Sequence, residues 1–143
     1  MHALGCYEVS LGDTLGVGNP LQTRDILRLF LQEFSADQLA LHLHDTRGLG
    51  LANAFAALEM GVDLFDASVA GLGGCPFCGH AHGSAAGNVC TEDLVFLCHE
   101  LGIHTGIDLE ALLDAARLAE RTIGRRLDGK LMHAGTLAAW RKR

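Results

Sequence analysis

His42 and His44 stand two residues apart in Leu39-Ala-Leu-His-Leu-His44. On a β-strand, side chains at i and i+2 leave the same face about 6–7 Å apart. Modest tilting lets two such imidazoles bind one divalent metal; the alternative is a pair of core histidines bonded to polar neighbours. Their place at a strand's C-terminal end, ahead of Asp45-Thr46 and a Gly-rich turn, favours the functional reading. Gly71-Leu-Gly-Gly-Cys75-Pro76 is a second candidate. Three glycines ahead of a cysteine make a loop that can carry a thiol into a site and let backbone approach a substrate. A structural cysteine is the other reading. Cys75-Pro-Phe-Cys78-Gly-His80-Ala-His82 has pairs that suit a compact Cys2His2 zinc clip or a redox dithiol, but the second pair follows too closely for a standard finger. Asn88, after Gly87 and before a helix start, is either an oxygen ligand or a turn residue.

Several elements must position these residues. Cys6 to Leu11 reads as a strand, and Pro20 opens a helix to about Phe34 whose buried stripe is Ile26, Leu27, Phe30 and Leu31. Leu39 to Leu43 is a second strand, Gly48 to Met60 a second helix, and Leu64 to Val69 a third strand. The order βαβαβ and its spacing predict parallel strands joined by crossover helices. Thr91, with Glu92 and Asp93, caps a helix to about Glu100, and Asp108 opens another with an apolar face of Leu109, Leu112, Leu113, Ala116 and Ile123. Beyond Gly124 the pattern is weak. Asp-Thr-x-Gly-x-Gly begins at Asp13 and again at Asp45, as if one βα unit were reused.

Alternation gives every strand one polar side: Glu8 with Ser10, His42 with His44, Asp66 with Ser68. Doubly wound sheets bury both faces under helices, whereas a (β/α)8 barrel carries chemistry on inward residues near the strand ends. The expected fold is α/β: a partial (β/α)8 TIM barrel of about three parallel strands, equivalent to the last three, with outer and C-terminal helices. The expected organisation is a single incomplete domain over 1–143. It comprises βαβαβ over 1–70, a Gly-rich active-site loop over 71–90, helices over 91–124 and a tail over 125–143.

Composition narrows the partners. Eleven basic against seventeen acidic residues give a net charge of −6, which disfavours nucleic acid and anionic membranes. A stretch free of Asp, Glu, Lys and Arg runs from Ala67 to Cys90, but repeated Gly, His, Ser and Asn rule it out as a membrane span. Glu8 and Asp13 stand early and no basic n-region precedes them, so neither a secretory signal nor an Arg-rich transit peptide is expected. Five scattered cysteines fit a reducing compartment, and the cytoplasm is the expected location. Eighteen glycines make a surplus, and six of them fall between Gly71 and Gly87, where backbone must turn tightly or approach a ligand.

From Gly5 to about Gly124 the sequence resembles the hydroxymethylglutaryl-CoA lyases of the metal-dependent lyase and synthase superfamily. The residues that carry the resemblance are Gly5-Cys-Tyr-Glu-Val-Ser-Leu-Gly-Asp-Thr14, His42-Leu-His-Asp-Thr46, Ser68-Val-Ala-Gly-Leu-Gly-Gly-Cys-Pro76, Gly87-Asn88 with Thr91-Glu-Asp-Leu94, and Leu101-Gly-Ile-His-Thr-Gly106. The isopropylmalate and homocitrate synthases share the His-x-His strand, but the Gly-Gly-Cys-Pro loop is similar to the lyases.

The resemblance implies metal ligands at His42, His44 and Asn88, a catalytic cysteine at Cys75, and an acidic group near the substrate at Asp13. The implied reaction is retro-Claisen cleavage of 3-hydroxy-3-methylglutaryl-CoA to acetyl-CoA and acetoacetate, as in leucine catabolism and ketone-body formation. Mg2+ or Mn2+ would bind the substrate's hydroxyl and carbonyl oxygens. Two departures stand out. The Arg-Asp strand that carries the family's other ligand has no counterpart here, so the chain is expected to be a fragment, a truncated product or one piece of a split enzyme, inactive by itself. The expected partners are an acyl-CoA substrate and either a second copy or a complementing N-terminal half-barrel. The loop from Cys75 to Asn88 is also about four residues longer than the family's and carries Cys78, His80 and His82. Alternatives are a related 3-hydroxyacyl-CoA lyase and a non-catalytic metal-binding or interaction fragment.

Overall fold

A computed structural model describes residues 4–74, 87–137 and 140. The chain divides into two compact units. Over the described residues the first holds 4–66, 74, 87 and 88, and the second holds 67–73, 89–137 and 140.

The first unit is a three-stranded parallel sheet in the order β1 (Val9–Asp13), β2 (Leu39–Leu43), β3 (Leu64–Asp66). The strands are joined through α1 (Pro20–Phe30) and α2 (Gly50–Glu59). Asn19 starts α1: its Oδ1 accepts the N–H groups of Leu21 and Gln22, and the Gln22 side chain accepts the Asn19 N–H in return. Pro20 follows at the first helical position, where its missing N–H costs nothing. The core forms where the period-2 face of β2 meets the helices: Leu39, Leu41 and Leu43 are buried with Leu27, Ala54, Ala57 and Val62. Arg24 of α1 pairs with Glu59 of α2 across the helix contact.

Register brings the polar face into rows. Gly12 lies opposite His42, and His42 opposite Asp66, so the strands present one shared side of polar residues as alternation predicts. Three strand boundaries shift, the first being the start of β1, which lies at Val9 rather than Cys6. β1 runs to Asp13 rather than stopping at Leu11, and β3 ends at Asp66 because Val69–Gly71 forms a tight 3-10 turn.

In the second unit α3 (Thr91–Glu100), α4 (Leu109–Ile123) and α5 (Lys130–Ala134) gather with that turn. Ala70, Leu113, Ala116, Leu127, Leu131 and Met132 make its buried cluster, with Phe96 and Leu109 packed against it. Asp108 caps α4 through the N–H groups of Glu110 and Ala111, and Gly124 ends it in a left-handed conformation. The expected apolar face of α4 holds at Leu113 and Ala116, while Ile123 is exposed in the last turn. α5 arises where periodicity is weak, because tertiary bonds rather than local pattern define it. Asp93 accepts the N–H groups of Lys130 at 3.0 Å and Leu131 at 2.8 Å, capping the helix from 37 residues away.

Candidate metal and lyase site

The C-terminal ends of β1, β2 and β3 carry the polar residues of the first unit. His42 projects from β2 and His44 follows it, with His44 only 5% exposed. Their Nε2 atoms face each other at 3.1 Å and the ring centroids are 5.1 Å apart. Asp66 on β3 bonds His42 Nδ1 through its Oδ1. A carboxylate can only accept, so Nδ1 carries the proton and the lone pair of His42 points out at Nε2.

Burial is the main influence that pushes the His44 pKa down, with nearby His42 adding to it against the opposing charges of Asp13 and Asp66. His44 is therefore neutral around pH 7, as a metal ligand must be. Its buried Nδ1 makes no hydrogen bond among the described residues. Asn88 is brought alongside by chain pairing: it forms an antiparallel bridge with His44, and Asp45 N–H donates to Gly87 O at 3.1 Å.

The donor set fits a divalent ion. Cis ligands of a six-coordinate ion at about 2.1 Å lie about 3 Å apart, which is the observed Nε2 separation. Two imidazoles, with Asn88 and carboxylates on the neighbouring strands, offer the mixed nitrogen and oxygen donors that a divalent ion takes. Among the described residues no three of His, Cys, Asp and Glu converge on one point, so the histidine pair and Asn88 would be only part of a full coordination shell.

Asp13 occupies the neighbouring strand end. Its Oδ1 accepts Val17 N–H at 3.1 Å and its Oδ2 accepts Gly18 N–H at 2.9 Å. A Cβ on Gly18 would stand 3.0 Å from Asp13 Oδ2, so glycine allows this close wrap. Asn53, buried in α2, donates from Nδ2 to Gly18 O at 3.1 Å and braces the same turn. Arg47 donates to Leu15 O at 2.8 Å, linking the turn after β2 to the turn after β1. A cavity of about 410 Å3 is lined by Leu11, Leu41, Leu43 and Ile26 together with Asp13 and Gly18, and neither His42 nor His44 lines it.

Of the residues singled out in the sequence, the structure brings His42, His44, Asn88 and Asp13 into one unit. Cys75, with Cys78, His80 and His82 of the zinc-clip alternative, lies outside the described residues. Asp66, which the sequence places on the polar face without a role, is the residue that bonds His42. Its signal was the period-2 pattern of β3, but only register sets it opposite His42.

The HMGL-like family model matches residues 1–119. A mitochondrial hydroxymethylglutaryl-CoA lyase of Bos taurus is 50% identical over 134 residues, 94% of this chain and 40% of that protein. A cytoplasmic 3-hydroxy-3-methylglutaryl-CoA lyase of Danio rerio is 50% identical over 92% of this chain and 38% of that protein. The solved HMG-CoA lyase from A. baumannii, in complex with coenzyme A and 3-methylmalate, superposes with a TM-score of 0.87 at 46% identity, covering 95% of this chain and 43% of that one. The chain thus spans about 40% of the length of the curated relatives it matches. Its three parallel strands and helices are those of a segment of a (β/α)8 barrel. No helix among the described residues is long and apolar enough to cross a membrane. By sequence and by fold, this chain belongs to the HMGL-like family.

Proposed function

We propose that the chain supplies part of the active site of a carbon–carbon lyase that cleaves 3-hydroxy-3-methylglutaryl-CoA to acetyl-CoA and acetoacetate. The observation that carries the reading is the pair of facing Nε2 atoms of His42 and His44, backed by Asp66, in a chain of the HMGL-like family. Likeness to a lyase with coenzyme A bound supports an acyl-CoA substrate. His42, His44 and the Asn88 amide oxygen would hold Mg2+ or Mn2+, which when bound supplies Lewis-acid polarisation of the substrate's oxygens.

The chain's own groups do the rest. Asp66 keeps the His42 ring oriented with its lone pair at Nε2. Asp13, held by the N–H groups of Val17 and Gly18, or a site histidine takes the substrate's hydroxyl proton. The carbon–carbon bond then breaks, a ketone forms on acetoacetate, and the electron pair stays on the acetyl-CoA carbon as an enolate. Cys75 or an imidazole returns a proton to that carbon. A second copy or an N-terminal half-barrel completes the site, a reading supported by the share of the relatives' length that this chain spans. We place the enzyme in the cytoplasm, as its Danio rerio relative is named, and Cys6, Cys90 and Cys98 are in no disulfide.

The test is acetoacetate formation from the CoA ester with Mg2+ and a thiol reductant, for the chain alone and with a family N-terminal half-barrel. Product only in the mixture is expected, and loss of both product and bound metal in His42→Ala and His44→Ala. Metal binding without product in the mixture would reject the lyase and favour a metal-binding fragment.

A further inference from the structure

Asn53 is a buried polar residue to which the proposed chemistry gives no part. It sits in α2 with 1% exposure, among Gly50, Ala54, Ala56 and Ala57, which are buried with it. Its backbone N–H follows the helix to Leu49 O at 2.9 Å, while its side-chain Nδ2 leaves the helix and donates to Gly18 O at 3.1 Å, 35 residues back in the chain. Its Oδ1 is buried and has no hydrogen-bond partner among the described residues. Asparagine is a weak helix former, and a buried amide oxygen without a donor lowers stability. For the helix alone, alanine or leucine would serve better at this position. What asparagine adds is a donor aimed at Gly18.

Gly18 in turn holds Asp13. Its N–H donates to Asp13 Oδ2 at 2.9 Å and Val17 N–H donates to Oδ1 at 3.1 Å, so one backbone segment engages both carboxylate oxygens and fixes the plane of the group. Asn19, the next residue, is committed as the cap of α1. Arg47 ties the earlier residues of the turn, Leu15 and Gly16, whereas Asn53 ties Gly18 from the core.

We propose that Asn53 is a positioning residue for Asp13: by holding the Gly18 carbonyl from α2, it fixes the Val17 and Gly18 N–H groups and, through them, the direction in which the Asp13 carboxylate meets a substrate's proton. This rests on the reading of Asp13 as the group that takes the substrate's hydroxyl proton. The two N–H groups decide where the remaining lone pairs of the carboxylate point, and proton transfer needs one of those within hydrogen-bond reach of the hydroxyl. A turned carboxylate leaves substrate binding as it was and slows the proton step.

The experiment compares Asn53→Ala and Asn53→Leu with the unmodified protein, each alone and combined with Asp13→Asn. Two readings are made: amide exchange at Val17 and Gly18 in the full chain, and kcat and KM for acetoacetate formation by the chain complemented with a family N-terminal half-barrel. Loss of the Nδ2 donor should speed exchange at both amides by about tenfold or more. It should lower kcat by about tenfold with KM unchanged. Asn53→Leu keeps the branch at Cγ and favours the helix, so it gives the same readings should the alanine variant not fold. In the Asp13→Asn background either Asn53 substitution should change kcat by less than about twofold, because the group that Asn53 positions is already gone. An asparagine that serves the fold alone would lower kcat equally in both backgrounds. Unaltered exchange at Val17 and Gly18 in a folded Asn53→Ala or Asn53→Leu chain, or a kcat loss that is the same with and without Asp13, would overturn the proposal. The exchange reading needs no product, so failure of the lyase reading would be seen separately, as absence of acetoacetate from the unmodified complemented protein.

Discussion

Three turns leave the C-terminal side of three strands, and they are held in two different ways. After β1 and β2 the turn carries its own carboxylate: Asp13 accepts Val17 and Gly18 N–H, and Asp45 accepts Gly50 N–H at 2.8 Å. Gly16 N–H closes on Asp13 O at 3.1 Å and Gly48 N–H on Asp45 O at 2.9 Å, so the repeated sequence folds into a repeated turn. After β3 the local sequence is Ser68-Val-Ala-Gly71, with no acidic residue, and the carboxyl comes from Glu92, 22 residues along the chain. A carboxylate within its own turn stays partly hydrated and works as a local cap. One imported from a helix must be buried to reach its target, and its environment then shifts it towards the neutral acid.

The imported carboxyl is the more fragile arrangement. Gly129→Ala drives a Cβ into Glu92 Oε1 and Met132, and should cost the second unit about 3 kcal/mol, at the upper end for overpacking. Urea unfolding checks it; a loss below about 1 kcal/mol would mean that the Glu92 contact yields easily.

pH separates the two kinds of turn further. Because folding raises the pKa of Glu92, its protonated form contributes stability that is fully present below the unfolded carboxylate range. That contribution is lost as pH rises through the folded value. The unfolding midpoint of wild type minus that of Glu92→Gln should therefore decline from pH 4 to pH 8. A difference that stays flat would remove the buried acid from the comparison.

Within the local pair, the turns differ in surroundings. Gly16 and Gly48 both have positive φ, 59° and 73°, so alanine costs each about 1–2 kcal/mol. At Gly16 the new Cβ also lies 3.0 Å from Thr46 Cβ and 3.1 Å from His44 O, whereas at Gly48 it meets nothing within 4 Å. Gly16→Ala should accordingly destabilise more than Gly48→Ala, read by urea unfolding, and should also weaken the proposed binding of a metal at His44, read by calorimetric titration with Mn2+. Equal effects would show that the two turns are interchangeable.

Arg47→Ala is the mildest case. It removes the bonds to Leu15 O and Gly16 O at the surface and should cost about 0.5–1.5 kcal/mol. A thermal shift of both turns together, followed by amide exchange at Gly16 and Gly48, would show the two turns coupled through this side chain.

Much of the first unit was legible in the chain because its signals are local. Leu39–Leu43 alternates as a strand and is one, Asn19-Pro20 starts a helix, and the Asp-Thr-x-Gly-x-Gly repeat marks two turns of one design. His42 and His44 share a face by the two-residue period alone. β3 was overextended to Val69 because an apolar run looks the same whether it continues a strand or enters a tight left-handed turn. Thr91 looked like the cap of α3, yet Cys90 occupies that position and Thr91 is already helical.

What the sequence determined by itself was the set of donors and the local turns, since side-chain period and turn chemistry act over a few residues. Tertiary structure alone decided that Asp66 backs His42, that Asn88 pairs with His44, and that Glu92 reaches Ala70. Those relations depend on strand register and on which buried helix end meets which turn. Both are settled by packing between segments distant in the chain, where no short-range pattern records the partner.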